Sequence, residues 1–490
     1  RVEFLAQTCT AADWESLVQL VETSKPNRIL VGACLPYVYQ HKIKELSRQV
    51  GLDDVLIEVV DLNADCGMRN AELMDKQLFL RNVLSALEMG IAKLKWAEPG
   101  PVATVPIIQK ALVIGGGIGG MTAALAIADH GFEVDLVEAG EHLGGNLTWL
   151  QRTLEGHTTN TLLEDTRAGV EKHPNICVHA LTRVITATGD AGRFHTTIEG
   201  PEGVVRVLSH GVTIFATGGK EAVTTSFGYG TSPSIITQME LEQKLADDTM
   251  DAAQLNSVVM IQCVDSREEP RNYCSRVCCA SALKHALHLK EKNPALSIYI
   301  LYRDMMTYGF AETYYTRARE AGVIFIQYRV DAKPRIKTAK ESPEVMILEP
   351  ILGRQLKIEA DLVVLATGVV SNLPQDLAQS FGASVDQDGF FQAADSKWRP
   401  VDALKEGVFA CGLTHSPRTI AETIATAEAA AERALRLLAR EYLPAGKVLA
   451  KVHQSLCSLC ERCIDACPYG ARSIDFDHEK VRINPVMCQG

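Results

Sequence analysis

Four cysteines near the C-terminus, Cys457, Cys460, Cys463 and Cys467, are followed by Pro468 and spell C-x2-C-x2-C-x3-C-P. In such a ferredoxin-type run the first three thiolates hold one [4Fe–4S] cube and the fourth reaches a neighbouring cube. Zinc requires neither the three-residue gap nor the proline. Cys488, ahead of Gln489 and Gly490, reads as the opening of a second run, and the chain also begins at Arg1 rather than Met, so both ends are expected to be incomplete.

A second group, Cys263, Cys274, Cys278 and Cys279, follows a strand-like run, Ser257 to Val264, and leads into a helical pattern. Four thiolates fit a [4Fe–4S] cluster, although the adjacent pair is an unusual ligand arrangement. Zinc also takes four thiolates. A redox dithiol is a third reading, but its C-x-x-C spacing is missing here. Adjacent helical residues point about 100° apart, so Cys278 and Cys279 reach one cluster only if the backbone is irregular there. Cys9, Cys34 and Cys66 each follow or end an apolar run. Three thiolates at strand ends can converge on a metal or cluster but are one short of a usual set, and buried structural cysteine is the alternative.

These groups need elements to position them, and the organising one is Ala111 to Glu138. Leu112, Val113 and Ile114 read as a buried strand, Met121 to His130 as a helix, and Glu133 to Val137 as a second strand. Between them Gly115, Gly117 and Gly120 fit G-x-G-x-x-G: a tight turn, an open approach for a pyrophosphate, and close packing of helix on strand. Glu138 ends the second strand where a carboxylate can accept from ribose hydroxyls. Gly144, Gly145 and Asn146 follow as a second glycine pair of the kind that flavoproteins with two dinucleotide domains bring to FAD. Thr217 and Gly218 close an apolar strand in A-T-G, Thr367 and Gly368 repeat the pattern, and a related strand ends at Gly412 ahead of an alanine-rich helix, Ile420 to Arg440. The dipole at that helix's N-terminus suits the flavin O2 and N1 region.

The 490 residues, 47% of them hydrophobic, leave room for about three domains. A net charge of -11 disfavours nucleic acid as a partner. Clustered rather than scattered cysteines, with no secretory leader in view, point to a reducing, cytoplasmic setting. The uncharged run Ala111 to Ala128 carries five glycines and does not suit a transmembrane helix. The expected organisation is α/β: an N-terminal domain with a possible Fe–S site (1–97), a Pro-rich linker (98–106), an FAD-binding domain in two parts (107–224 and 359–442) around an inserted nucleotide-domain-like region with the cysteine group (225–358), and a ferredoxin-type domain (443–490). The ordered motifs resemble the thioredoxin-reductase-like, two-dinucleotide-binding flavoprotein fold. The inserted region has no glycine fingerprint after its first strand, which argues against nicotinamide binding there.

The stretches NYCSRVCC, LKEKNPALSIYILYRDMMTYG and REAGVIFIQY, between Cys263 and Tyr328, closely resemble the A-subunits of heterodisulfide reductase, and the resemblance extends over nearly the whole chain, including the Cys34 to Cys66 region. It implies an oxidoreductase subunit carrying FAD and [4Fe–4S] clusters, acting by flavin-based electron bifurcation or confurcation. The implied partners are the other subunits of such a complex and a ferredoxin or similar electron carrier. It also implies that Cys263, Cys274, Cys278 and Cys279 are cluster ligands and that Lys284 lies near the flavin. Residues 146 to 176 leave no room for the ferredoxin insertion that methanogen members can carry, so the electron path is expected to differ. A nicotinamide-dependent flavoprotein disulfide reductase, or one like the small subunit of glutamate synthase, is the competing reading.

Overall fold

The computed structural model describes residues 2–5, 11–33, 40–62, 76–99, 104–338, 342–444, 450–467, 471–476, 479–484 and 488. They fall into two units, Arg1–Val105 with Pro444–Gly490, and Pro106–Leu443. Cys9, Cys34 and Cys66 lie outside the described residues.

In the first unit, α1 (Ala11–Ser24), β1 (Ile29–Ala33), α2 (Gln40–Val50), β2 (Ile57–Asp61) and α3 (Lys76–Trp96) give the expected alternation. β1 and β2 pair in parallel, Ile29 opposite Ile57, which puts both isoleucines into one core with Trp14, Leu17 and Leu46. A short strand, β3 (Thr104–Pro106), follows.

The second unit opens with β4 (Lys110–Ile114), α4 (Ile118–Ala128), β5 (Glu133–Val137), α5 (Asn160–Lys172) and β6 (Ile176–His179). An antiparallel meander, β7 (Arg183–Asp190), β8 (Arg193–Glu199) and β9 (Val205–His210), leads back to β10 (Val212–Phe215). β11 (Gly219–Glu221) then leaves for the inserted domain, made of β12 (Ile235–Thr237), α6 (Gln238–Ala246), β13 (Ser257–Ile261), α7 (Cys278–Lys292), β14 (Ser297–Tyr302), α8 (Glu312–Glu320) and β15 (Ile324–Gln327). Its own meander, β16 (Arg335–Lys337), β17 (Glu344–Glu349) and β18 (Arg354–Glu359), precedes β19 (Leu362–Leu365). β20 (Val369–Ser371) returns antiparallel to β11, and α9 (Gln375–Ser380), β21 (Val408–Ala410) and α10 (Ile420–Leu438) complete the first domain.

Two five-stranded parallel sheets result, β21-β10-β4-β5-β6 and β12-β19-β13-β14-β15. This is the expected two-dinucleotide-binding flavoprotein architecture. Strands inside such sheets are covered on both faces, so they are apolar throughout rather than alternating, and β4 and β13 are buried accordingly. α4 is buried as well; its Gly and Ala residues let α10 pack closely through Ala427, Ala430 and Ala434. α4 starts at Ile118, three residues ahead of the sequence expectation. The return to the first domain also differs. The sequence pattern assigns residues 359–368 to that domain, but β19 pairs with β12 and β13, and the crossing falls at β20.

Past β22 (Tyr442–Pro444), the tail holds α11 (Arg462–Asp465) and an antiparallel hairpin, β23 (Arg472–Asp475) with β24 (Lys480–Ile483). Among the described residues no helix is long and apolar enough to cross a membrane.

Candidate functional site

β4 is the strand from which the first sheet is built in both directions, β5 and β6 to one side, β10 and β21 to the other. Ligands of parallel α/β sheets bind beyond the carboxyl ends of the strands at such a point. The glycine turn sits there. Gly115 has φ +110°, and a Cβ on it would lie 2.2 Å from the Ala216 carbonyl oxygen; one on Gly120 would lie 1.8 Å from the Gly115 oxygen. Packing alone therefore fixes these two glycines. Gly117 differs: a Cβ there would meet only the Gly145 Cα, at 3.9 Å. It is the N-cap of α4 with no side-chain cap, leaving open space before free helix N–H groups. A pyrophosphate fits that opening and its dipole.

The neighbouring motif residues gather around the turn. The Gly144 N–H donates to Gly116 O at 2.8 Å, and Gly145 comes directly against Gly117. Glu138 closes the turn from the end of β5, accepting from the N–H groups of Gly116 and Gly140, each at 2.6 Å. Asn146 Nδ2 donates to Gly219 O at 3.0 Å. Thr414 Oγ1 accepts from the Gly218 N–H at 2.9 Å and lies 3.2 Å from Thr217 Oγ1, while Gly412, at φ +62°, is backed by Thr423. The N-terminus of α10 is closed by its own Thr419–Glu422 capping box.

Thr367 and Gly368 go elsewhere. They follow β19 in the second domain, where a Cβ on Gly368 would lie 2.7 Å from Ser275 Oγ. Thr367 is buried and its hydroxyl has no hydrogen-bond partner. The sequence pattern assigns both to the flavin; the pairing of β19 places them beside the cysteine loop.

That loop occupies the corresponding point of the second sheet, after β13, which has β14 on one side and β19 on the other. Cys263, Cys274, Cys278 and Cys279 line one small pocket together with Arg267, Arg276 and Met306. Cys278 and Cys279 are themselves the first two residues of α7, so the irregular backbone lies ahead of the adjacent pair rather than at it. Cys263, Asp265, Arg267 and Arg276 all have φ between +49° and +63°, a region costly for residues with a Cβ. The loop is held in it by named bonds. Asp265 accepts from Thr224 and Ser226 hydroxyls, each at 2.6 Å; Ser266 Oγ donates to Tyr273 O at 3.0 Å; Tyr273 OH donates to Val369 O at 2.8 Å. Arg276 carries no motif that would single it out in the sequence. Its guanidinium reaches the first domain, donating to Pro417 O and to Glu422 of α10, the latter at 2.5 Å.

Burial, and then the neighbouring thiols, push Cys278 far up and Cys279 up to about 11. Burial raises Cys263 too, opposed by a hydrogen bond from Arg267. Four thiolates so close repel one another unless a cation lies between them. The donor set therefore fits a [4Fe–4S] cluster or zinc and does not suit a lone redox thiol.

Lys284, one and a half turns along α7, lines a different cavity, of about 290 Å³, with Gln151, Arg152, Glu242, His285 and His288. Its ammonium donates to Arg152 O at 3.1 Å and pairs with Glu242 Oε2 at 2.8 Å. The other Glu242 oxygen accepts from the N–H groups of Gln151 and Arg152, at 2.9 and 3.3 Å. His285 Nε2 reaches Oε2 at 2.5 Å, leaving its buried Nδ1 without a partner. Burial drives the Glu242 carboxyl up, but the His285 hydrogen bond and the Lys284 charge outweigh it and hold the group well below the carboxylate range. Burial lowers Lys284, with Glu242 opposing. Glu242 and His285 carry no sequence motif. The packing of α6 on α7 brings Glu242 to the lysine, whose neighbour on α7 is His285.

In the tail, Cys457 and Cys460 precede α11, Cys463 lies within it and Cys467 follows. Leu459 and Glu461, between these cysteines, have positive φ. The Ala471 N–H donates to Cys467 Sγ at 3.4 Å and the Ala450 N–H to the buried Cys488 Sγ at 3.3 Å, bonds that suit thiolate acceptors. Pro468, Gln489 and Gly490 lie outside the described residues.

Comparison with known proteins matches residues 113–161 to an NAD(P)-binding Rossmann-like domain and residues 450–473 to a 4Fe-4S binding domain. A CoB-CoM heterodisulfide reductase A-subunit from Methanosarcina acetivorans is 27% identical over 97% of this chain and 71% of its own. A protein from Archaeoglobus profundus that is itself described as like the heterodisulfide reductase A-subunit is 27% identical over 97% of this chain and 86% of its own. The crystal structure of thioredoxin reductase from T. acidophilum covers 67% of this chain and 98% of its own, with 16% identity and a TM-score of 0.48.

Proposed function

We propose that this chain, a relative of the heterodisulfide reductase A-subunits over nearly its whole length, couples a two-electron donor to one-electron carriers by flavin-based bifurcation or confurcation. At the coarser level it is an oxidoreductase subunit for electron transfer, with FAD and [4Fe–4S] clusters as cofactors. The observation that carries the finer reading is the convergence of Cys263, Cys274, Cys278 and Cys279 at the point of the second sheet where a nicotinamide domain would carry its glycine turn. FAD exchanges electrons in pairs or singly, and each cluster singly; the protein sets where and at what potential.

In this reading Gly117 leaves room for the pyrophosphate, Glu138 exchanges its backbone bonds for ribose hydroxyls, and Gly144, Gly145 and Asn146 flank the flavin. Lys284 would present a positive charge to the isoalloxazine edge. The segment that runs on from the second glycine pair ends at Arg152, whose carbonyl Lys284 already meets. Glu242 orients that ammonium and moderates its charge. Arg276 fixes the cysteine loop to α10 of the flavin domain, so donor and acceptor keep one separation. Partners are the other subunits of a heterodisulfide-reductase-like complex and a ferredoxin-like carrier.

The test uses the anaerobically purified complex. Bifurcation requires that a low-potential acceptor be reduced only while a high-potential acceptor is present, in equal electron equivalents. Independent reduction of either acceptor overturns it. Cys278→Ser should lose one cluster's worth of iron and sulfide, retain flavin, and abolish that coupling; unchanged iron would remove the middle cluster from the scheme.

A further inference from the structure

A further set of side chains able to ligate a metal lies on the first sheet, apart from the cysteine groups already described. β5 and β6 run parallel with Asp135 opposite Cys177 and Val137 opposite His179. Alternate residues of a strand share a face, so this register puts Asp135, Cys177 and His179 on one side of the sheet at its edge. Their ligand atoms lie within 4.8 Å of one another, and His179 Nε2 is 2.9 Å from Asp135 Oδ1. We propose that these three residues bind one divalent transition-metal ion of the zinc class.

The geometry needs little change. Ligand atoms around a tetrahedral zinc, with bonds of about 2.0–2.3 Å, stand about 3.3–3.8 Å apart. The Oδ1 to Nε2 separation is slightly shorter, and an ion entering between them replaces the proton they share. Lys110 pairs with the other oxygen, Oδ2, at 2.9 Å and so turns Oδ1 towards the histidine. That lysine meets no uncompensated cation once the ion is bound, because the Cys177 thiolate and the Asp135 carboxylate together neutralise it. A sulfur, a nitrogen and an oxygen donor select a borderline-soft metal over magnesium or calcium. Asp135 is buried and Cys177 exposed, so the ion enters from the edge of the sheet and keeps its fourth position open to water. Bound there, it clips edge strand β6 to β5.

The experiment uses the full chain with its flavin and clusters, incubated anaerobically with excess zinc and desalted. Zinc, iron and flavin are measured together, with zinc K-edge absorption to identify ligands. The expected result is one zinc per chain, bound by one sulfur and lighter donors, and lost in Cys177→Ser with iron and flavin unchanged. Cys177 is exposed, so this substitution does not threaten folding; His179→Ala is the second variant. Zinc uptake equal in wild type and Cys177→Ser, no uptake by wild type, or an edge fitted by four sulfurs overturns the proposal.

Discussion

Gly115, Gly117 and Gly120 are glycine for different physical reasons, and substitution separates them. A methyl on Gly120 would collide with the Gly115 oxygen, so Gly120→Ala must push α4 off β4 and should cost about 1–3 kcal/mol, as overpacking does. Gly117 has nothing nearby to collide with. Gly117→Val should therefore fold with an unchanged circular dichroism spectrum and yet be purified without flavin. Full flavin content in that variant would remove the opening at Gly117 from the binding argument. Lys284 separates in the same way from its partners. In Lys284→Ala, Glu242 keeps the donors Gln151, Arg152 and His285, so iron and fold should persist. With Lys284 placed at the isoalloxazine as proposed, loss of its positive charge disfavours reduced flavin, and the potential should fall. Each 1.4 kcal/mol of lost interaction lowers a two-electron couple by about 30 mV. A potential unmoved in a redox titration would place Lys284 away from the flavin.

Among the elements, the cysteine loop is a strained segment held by side chains from two domains, and Arg276 is the longest reach among them. Its pair with Glu422 is about one-third exposed, so its direct contribution to global stability is small, about 0–1 kcal/mol. Arg276→Ala should leave the unfolding midpoint nearly unchanged while amide exchange across 263–279 accelerates. Arg276→Lys should not restore protection, since one ammonium cannot reach Pro417 O and Glu422 together as the planar fork does. Equal exchange in wild type and Arg276→Ala would leave the other loop bonds sufficient. The loop also shows where the sequence is legible. Its cysteines, the glycine turn and the β-α-β frame around it are local patterns, readable because each depends on residues within one helix or strand of each other. Which sheet Thr367 and Gly368 follow is not legible, because VVLATG reads alike in either domain and only the pairing of β19 tells which sheet owns it. Glu242 beside Lys284, Arg276 against α10 and Asp135 beside Cys177 are created by packing and register between distant segments, for which one sequence holds no signal.

At the scale of the whole chain, the two parallel sheets present two ligand points of equivalent topology, and the chain has filled them differently. Beyond β4 an open glycine turn meets the N-terminus of α4. Beyond β13 stands a loop whose carbonyls already accept from its own side chains, Tyr273 O from Ser266 and Asp265 O from Arg271, and which is tied to β20 by the Tyr273 hydroxyl. α7 begins with Cys278 and Cys279 in its first turn, with no glycine to admit a pyrophosphate. A nicotinamide nucleotide would have to displace that loop and give up its bonds before its phosphates reached the helix end. NADH or NADPH mixed with the purified chain in the absence of partner subunits should therefore leave the flavin oxidised on the stopped-flow timescale. Addition of dithionite to the same sample should bleach it, which separates an unreactive flavin from an absent donor site. Rapid bleaching by either nucleotide would favour a pyridine-nucleotide reductase over an electron-transfer subunit fed by its partners. It would also mean that the cysteine loop opens, and amide exchange across 263–279 with the nucleotide present would then rise rather than fall.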